Sequence, residues 1–404
     1  MLSGSVSPGF EPLRDALARQ IAAYPGGAAI AAYHRGRKVV DLWGGVRNAK
    51  GDAWAEDTMS VSFSTTKGVA STALHMLADR GLVDYDAPVA RYWPEFAQQG
   101  KGDIRIRHLM CHEAGLYDIR ALIRSSDEML DWEHMVRLLA AAAPAHPPGE
   151  RNAYHGLTYG FLVGEIVRRV TGVPFPEFVQ AEIAKPLGLD GFYVGAPAHE
   201  LPRIARLHRR PPRPPGELPK RPRSRRASRR VLAFQGASLA LRAAGLPYDF
   251  RGGLQAALAP HGIGRFDFSD PAVVQACIPA ANGVFTARSL ARMYACLANG
   301  GELDGVRLLS EETLRRATVI QNKRPDHVLV LPMRWRLGYH LVATPRGVSK
   351  HAFGHFGFGG SGAFAHPTHN LSFAMTVNSG HGTPLGDLRI VRMAGLALGA
   401  VRKR

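Results

Sequence analysis

"VSFSTTKG", residues 61–68, changes character in the middle. Val61 and Phe63 alternate with Ser60 and Ser62, as on a half-buried strand. Beyond it Val69, Ala73, Leu74 and Leu77 repeat at near-helical period, and Gly81 ends the run. The pattern predicts a strand near 58–63 that runs into a helix with Ser64 at its N-terminus. Lys67 then lies one turn on, on the same face. An amine beside a hydroxyl is one way to make a nucleophile, provided burial and the positive end of the helix dipole lower the amine from its ordinary value of about 10.4. The helix start would also present the Ser64 backbone N–H to a developing oxyanion. On spacing alone, an N-cap serine followed by a solvated first-turn lysine explains Ser-x-x-Lys better, because the pattern is short.

Working outward, "GAAIAAYHRGRKVVDLWGG" (27–45) reads as two strands joined by a turn at Arg35-Gly36-Arg37, and "GSGAFAHPTHNLSFAMTVNSG" (360–380) as a hairpin turning at Pro367–Asn370. Helical patterns cover 10–23, 104–112, 132–143, 157–171, 175–184, 287–298 and 385–399. The 287–298 segment has Thr286 as N-cap, Leu290, Met293, Tyr294 and Leu297 inward, and Asn299-Gly300 as its stop. The stretch 231–268 gives no clear assignment. Strands lie at both ends and helices in the middle. The expected class is therefore α+β: a largely antiparallel sheet from residues 1–85 and 270–404, with an inserted, mostly helical domain over 86–269.

With 46% hydrophobic and 21% charged residues over 404 positions, the chain has the composition of a globular protein. No apolar run reaches the roughly 18 residues of a membrane span, and the N-terminus lacks a basic start followed by an apolar core. Cys111, Cys277 and Cys296 are too few and too scattered for a disulfide framework, so a reducing, cytoplasmic setting is expected. The net charge of +18 is uneven: residues 203–230 hold twelve Lys and Arg against Glu217 alone. This proline-rich segment is expected to be an extended insertion. It is either a solvated loop or a contact for anionic membrane lipid or nucleic acid.

Two further segments carry candidate chemistry. "PPGERNAYHG" (147–156) puts Tyr154 after a Pro-Pro-Gly turn and before the 157–171 helix. A phenol there can shuttle a proton if its pKa falls from about 10, although taken alone Tyr154 fits a half-buried loop aromatic. In "FGHFGFGGSG" (353–362) the glycines bring backbone close to a neighbour, and His355 could donate to an anionic ligand. Gly357, Gly359 and Gly362 spell G-x-G-x-x-G, but a hairpin follows where a dinucleotide site needs a helix. His108, Cys111 and His112 have helix-face metal spacing. They lack the Glu of His-Glu-x-x-His and a fourth ligand, so a packed helix end is the better reading. His351, His366, His369 and His381 fit turn and surface roles.

The order Ser64-Thr65-Thr66-Lys67, Tyr154-His155-Gly156, His355-Phe356-Gly357 resembles the serine β-lactamase and penicillin-binding-protein superfamily. Segments 80–96, 104–116 and 281–301 are similar to it as well. The likeness spans about 10–195 and 270–395 and is nearest the class-C-like branch, with its β-lactamase-fold esterases of the family VIII carboxylesterase type. The resemblance implies that Ser64 is the acylated nucleophile, Lys67 its base or relay, and Tyr154 the group that protonates the leaving group and activates water. Which of the two is the acylation base stays open. It implies an oxyanion hole from the N–H groups of Ser64 and Phe358. His355, on the edge strand, with Phe356, Gly357 and His155, would bind substrate. Neither cofactor nor metal is implied. Gly156 stands where the family has Asn, and His355 where β-lactamases have Lys. Both departures favour simple short-chain carboxylic esters over β-lactams and peptides. The alternatives are a β-lactamase or D-amino-acid peptidase or acyltransferase of the same fold, and a non-catalytic relative that binds an anionic partner through 203–230.

Overall fold

The computed structural model describes residues 2–208, 250–379 and 388–402. Most of the basic 203–230 segment, and His381, lie outside the described residues.

Seven strands form one antiparallel sheet in the order β1-β3-β2-β12-β11-β10-β9. They are β1 (Leu2–Val6), β2 (Gly27–His34), β3 (Arg37–Gly45), β9 (His340–Thr344), β10 (Gly347–Phe356), β11 (Gly362–His366) and β12 (Leu371–Val377). The β2–β3 turn is tight because Arg35 and Gly36 both take positive φ (52° and 74°), the twist a two-residue hairpin needs. Sequence-distant segments meet at the centre, where β2 pairs with β12 in the register Ile30↔Met375.

Both sheet faces are buried. Ile30, Phe364, Phe373 and Met375 face helix α1 (Glu11–Ala23) and the helix Leu388–Arg402, packing on Leu13, Leu17, Ile390 and Met393. The opposite face carries Ala31, Ala363, Ala365 and Ala374. These small residues let the helix Ala287–Ala298 lie close across β2, β11 and β12. That helix has the expected bounds. Thr286 Oγ1 accepts from the Ser289 N–H, and Leu290, Met293, Tyr294 and Leu297 are all buried.

Helix α2 (Thr66–Asp79) runs through the same core with nearly every side chain buried. It packs on the helix Thr158–Thr171 and touches β10. The strand expected near 58–63 is shorter and lies elsewhere: β4 (Ser60–Val61) joins β6 (Val284–Phe285) and β5 (Phe192–Tyr193) in a separate small sheet. The strands β7 (Glu302–Leu303) and β8 (Val306–Arg307) form a two-stranded ribbon.

Several helices end earlier than their periodicity suggests. The 104–112 pattern yields only Ile106–Met110, and His112 adopts φ +61°. The 175–184 pattern is α-helical over Phe175–Val179 and then widens into a π-turn. β10 lies between β9 and β11, so His355 is not on an edge strand: β9, absent from the sequence reading, holds that edge. His366 is buried, not superficial, and its Nδ1 accepts from the His369 N–H.

Candidate active site

Ser64 does not cap α2. It sits in a single 3-10 turn, Phe63–Thr65, that leads into the helix from Thr66. Phe63 takes φ +45°, a conformation that a bulky residue adopts only when its surroundings enforce it. That turn leaves Ser64 half-buried while its neighbours Ser62 and Thr65 are fully covered.

Two functional atoms converge on it. Lys67 Nζ lies 3.0 Å from Ser64 Oγ, and Tyr154 Oη donates to the same oxygen at 2.8 Å. Lys67 is fully buried and also donates to the carbonyls of Gly156 (2.7 Å) and Ala280 (2.9 Å). Among the described residues it has no carboxylate partner. Burial therefore acts unopposed and holds its pKa well below the ordinary lysine value. Tyr154 is buried rather than half-buried, and its ring lies 4.9 Å below the Lys67 ammonium position. Burial raises the phenol pKa, against the lowering that a shuttle was expected to need. Burial thus favours the neutral amine at Lys67 and the protonated phenol at Tyr154.

An aromatic box holds Tyr154. Trp335 stacks on its ring at 5.7 Å and 7°, and His112 meets it edge-on at 5.0 Å. His155 is a bracket behind this box and not a substrate-facing residue. It is fully buried, its Nδ1–H donates to Ala153 O (2.7 Å), and its Nε2 accepts from the Leu116 N–H (3.0 Å). His112 Nδ1 in turn accepts from the His155 N–H. Of the metal-spaced trio, His108 caps its own helix and the Cys111 thiol lies 3.8 Å from Arg336 O, so the three side chains have three different partners.

The end of β10 closes the other side. A Cβ on Gly357 would lie 2.2 Å from Ser62 O and 3.0 Å from Thr65 Oγ1, so only glycine lets the strand approach the Ser64 turn. Phe358 packs edge-on against Phe63 at 5.5 Å. His355 is buried, with Nδ1 3.2 Å from Phe356 O and Nε2 without a hydrogen-bond partner among the described residues. Burial lowers its pKa well below the usual imidazole value. It is therefore neutral, its N–H is committed to the chain, and its free nitrogen is an acceptor. In that tautomer Nε2 accepts rather than donating to an anionic ligand.

Phe356 is half-buried and donates its N–H to His340 Nε2 at 2.9 Å. Beside Tyr154 and His355 lies a cavity of about 100 Å³ lined mainly by Leu329, Met333, Trp335, Leu341, Phe356 and Val391. Gly156 also has a reason in the structure. A Cβ there would come within 2.3 Å of Leu258 Cδ2 and 2.5 Å of Ala257 O, so the helix Phe250–Leu258 fills the space an Asn side chain would need. Asp326, Trp335 and His340 went unnoticed in the sequence, since they lie in an irregular stretch or a short strand with no motif around them.

Residues 15–398 match a family model described as Beta-lactamase. The chain is similar to the esterase/beta-lactamase LipL of Mycobacterium tuberculosis (strain ATCC 25618 / H37Rv), 39% identical over 357 residues that span 87% of this chain and 77% of that protein. Among solved structures it is similar to a family VIII carboxylesterase, with TM-score 0.83 and 32% identity over 99% of this chain and 100% of the other. A penicillin-binding-protein homologue from Caulobacter crescentus gives TM-score 0.82 and 32% identity, again over 99% and 100% of the two chains. Among the described residues, no helix is long and apolar enough to cross a membrane.

Proposed function

The chain belongs to the beta-lactamase family, and from that premise we propose that it is a serine esterase which cleaves short-chain carboxylic esters through an acyl-Ser64 intermediate. The observation that carries the reading is the triangle of Ser64 Oγ, Lys67 Nζ and Tyr154 Oη, closed at 3.0 and 2.8 Å. The esterase-named relatives support the same class of reaction. In this reading the sheet segments 1–85 and 270–404 supply Ser64, Lys67 and the β10 wall, and the helical unit 86–269 supplies Tyr154.

The hydrogen-bond pattern supports Lys67, in its neutral form, as the base. A neutral amine has two N–H bonds and one lone pair. The carbonyls of Gly156 and Ala280 take the two hydrogens, which leaves the lone pair for the Ser64 hydroxyl proton. Ser64 Oγ attacks the ester carbonyl carbon while its proton moves to Lys67. The oxyanion is received by the backbone N–H groups of Ser64 and Phe358. Tyr154 gives its proton to the departing alkoxide, and the Lys67 ammonium replaces it. Water then enters by the reverse proton path and frees the acid.

Selectivity follows from what faces the substrate. Gly156 offers no side-chain amide, and neutral His355 offers an acceptor where a β-lactam carboxylate needs a cation. The small apolar cavity beside Tyr154 suits a short acyl chain. The test is hydrolysis of p-nitrophenyl acetate, butyrate and octanoate by the wild type and Ser64→Ala, with a chromogenic cephalosporin and a D-amino-acid amide in parallel. Turnover of the short esters that is lost in Ser64→Ala is the expected result. Equal rates in both proteins, or preference for the cephalosporin or the amide, would reject the reading.

A further inference from the structure

Tyr154 lies on a stretch without regular secondary structure between residues 151 and 155, so the direction of its hydroxyl must be set from outside. Asp326 is the group placed to do this. Its carboxylate is fully buried and, among the described residues, meets no cation. Oδ1 accepts from the backbone N–H of Tyr154 (3.1 Å), Val328 (2.9 Å) and Leu329 (2.9 Å). Oδ2 accepts from the Trp335 indole N–H (3.0 Å) and faces Asn152 Nδ2 at 3.4 Å. One carboxylate therefore grips both the backbone of Tyr154 and the ring stacked on it at 5.7 Å. The stretch from 326 to 331 is tied down as well: Val330 N–H donates to Asp326 O, and His327 N–H donates to Asn152 O. A buried anion without a counter-ion is costly unless dipoles surround it, and here the dipoles belong to the residues that frame Tyr154.

We propose that Asp326 is a positioning residue for the reaction: it holds the Tyr154 backbone and the Trp335 ring in one register and so aims Tyr154 Oη at Ser64 Oγ. This rests on Tyr154 acting as proposed above. The competing account is that Asp326 only folds the 326–331 turn.

A double-mutant cycle separates the two. Asp326→Asn keeps the shape and the Oδ1 acceptor but sets an amide N–H₂ against the Trp335 and Asn152 donors. In the otherwise wild-type protein it is expected to lower kcat on p-nitrophenyl acetate by about 10- to 100-fold, the scale of a small misplacement of a reacting group, with KM changed less than about 2-fold. In a Tyr154→Phe background the same substitution is expected to cost less than about 2-fold, because the hydroxyl it aims is gone. Where turnover falls to the blank, the rate of Ser64 phosphonylation by a fluorophosphonate replaces it. Equal losses in both backgrounds, or no loss in either, would overturn the proposal. Should Asp326→Asn fail to fold, Trp335→Phe removes one donor while keeping the stack, and the same non-additivity with Tyr154→Phe is expected. The outcome is separable from the esterase reading. If Ser64→Ala and Tyr154→Phe abolish turnover while Asp326→Asn does not lower it, the positioning role alone fails. If Ser64→Ala keeps the wild-type rate, the underlying reading fails first.

Discussion

Gly156 stands where the sequence resemblance leads one to expect Asn, and a single methyl group there tests why. The Cβ of Gly156→Ala would stand 2.5 Å from Ala257 O and 2.3 Å from Leu258 Cδ2. The leucine tip can rotate away, but the carbonyl belongs to the backbone of a helix, so something must move by roughly 1 Å to reach ordinary contact. Overpacking of this kind costs about 1–3 kcal/mol. Two things can move, and they have different consequences. If the helix Phe250–Leu258 gives way, stability falls and kcat survives. If residue 156 gives way, it takes the Lys67 acceptor with it, because Gly156 O holds Nζ at 2.7 Å, and kcat falls too. Urea denaturation with matched m-values, together with kcat on p-nitrophenyl acetate, reads both. Gly156→Asn is expected to cost more stability than Gly156→Ala and to gain no cephalosporin hydrolysis, since the amide has no space beside Leu258. A Gly156→Ala protein within about 0.5 kcal/mol of wild type, with full activity, would refute the packing explanation.

Two other perturbations have defined signs. Lys67 has a folded-state pKa held below its unfolded value of about 10.4, so between the two values the unfolded chain binds more protons and wild-type stability rises with pH. Lys67→Met should remove that contribution, so the wild-type advantage over the variant should grow from pH 7 to pH 10 in denaturant titrations; a difference that shrinks would mean the buried amine is charged. Gly357→Ala would place a Cβ 2.2 Å from Ser62 O and lever the end of β10 off the Ser64 turn. It should lower kcat/KM by about 100-fold while far-ultraviolet circular dichroism stays native.

The parts of this molecule that could be read from the sequence share a physical property: their signals are local. The 287–298 helix carries its cap, its periodicity and its stop within fifteen residues, and the 27–45 hairpin needs only alternation and a turn. The Ser64, Tyr154 and His355 segments are likewise short, and the family pattern supplied their order. What escaped depends on contacts far apart in the chain. His155 looks like a substrate ligand beside Tyr154 until Leu116 and Ala153 are seen to occupy both its nitrogens. His355 looks like a donor for an anionic ligand until burial is seen to keep it neutral and Phe356 O to lie beside its Nδ1. The direction of the Tyr154 shift could not be read from its loop position, because the rings of His112 and Trp335 that bury it arrive from 42 residues before and 181 after. Asp326 has no motif at all: its partners are mostly backbone N–H groups, which every sequence contains.

The strand pairing at the centre of the sheet also sets a clock. β2 has no partner on one side until β12 exists, and Ser60, just before the Ser64 turn, donates its hydroxyl hydrogen to Val377 O. During synthesis at about 5–20 residues per second, residue 371 follows residue 64 by roughly 15 to 60 s. For most of that interval the nascent chain has its serine and lysine, and from residue 154 its tyrosine, but not the strand that anchors the turn. Such long-range closure is intrinsically slow. The pairing that backs the Ser64 turn is thus completed only by the last strand to be synthesised.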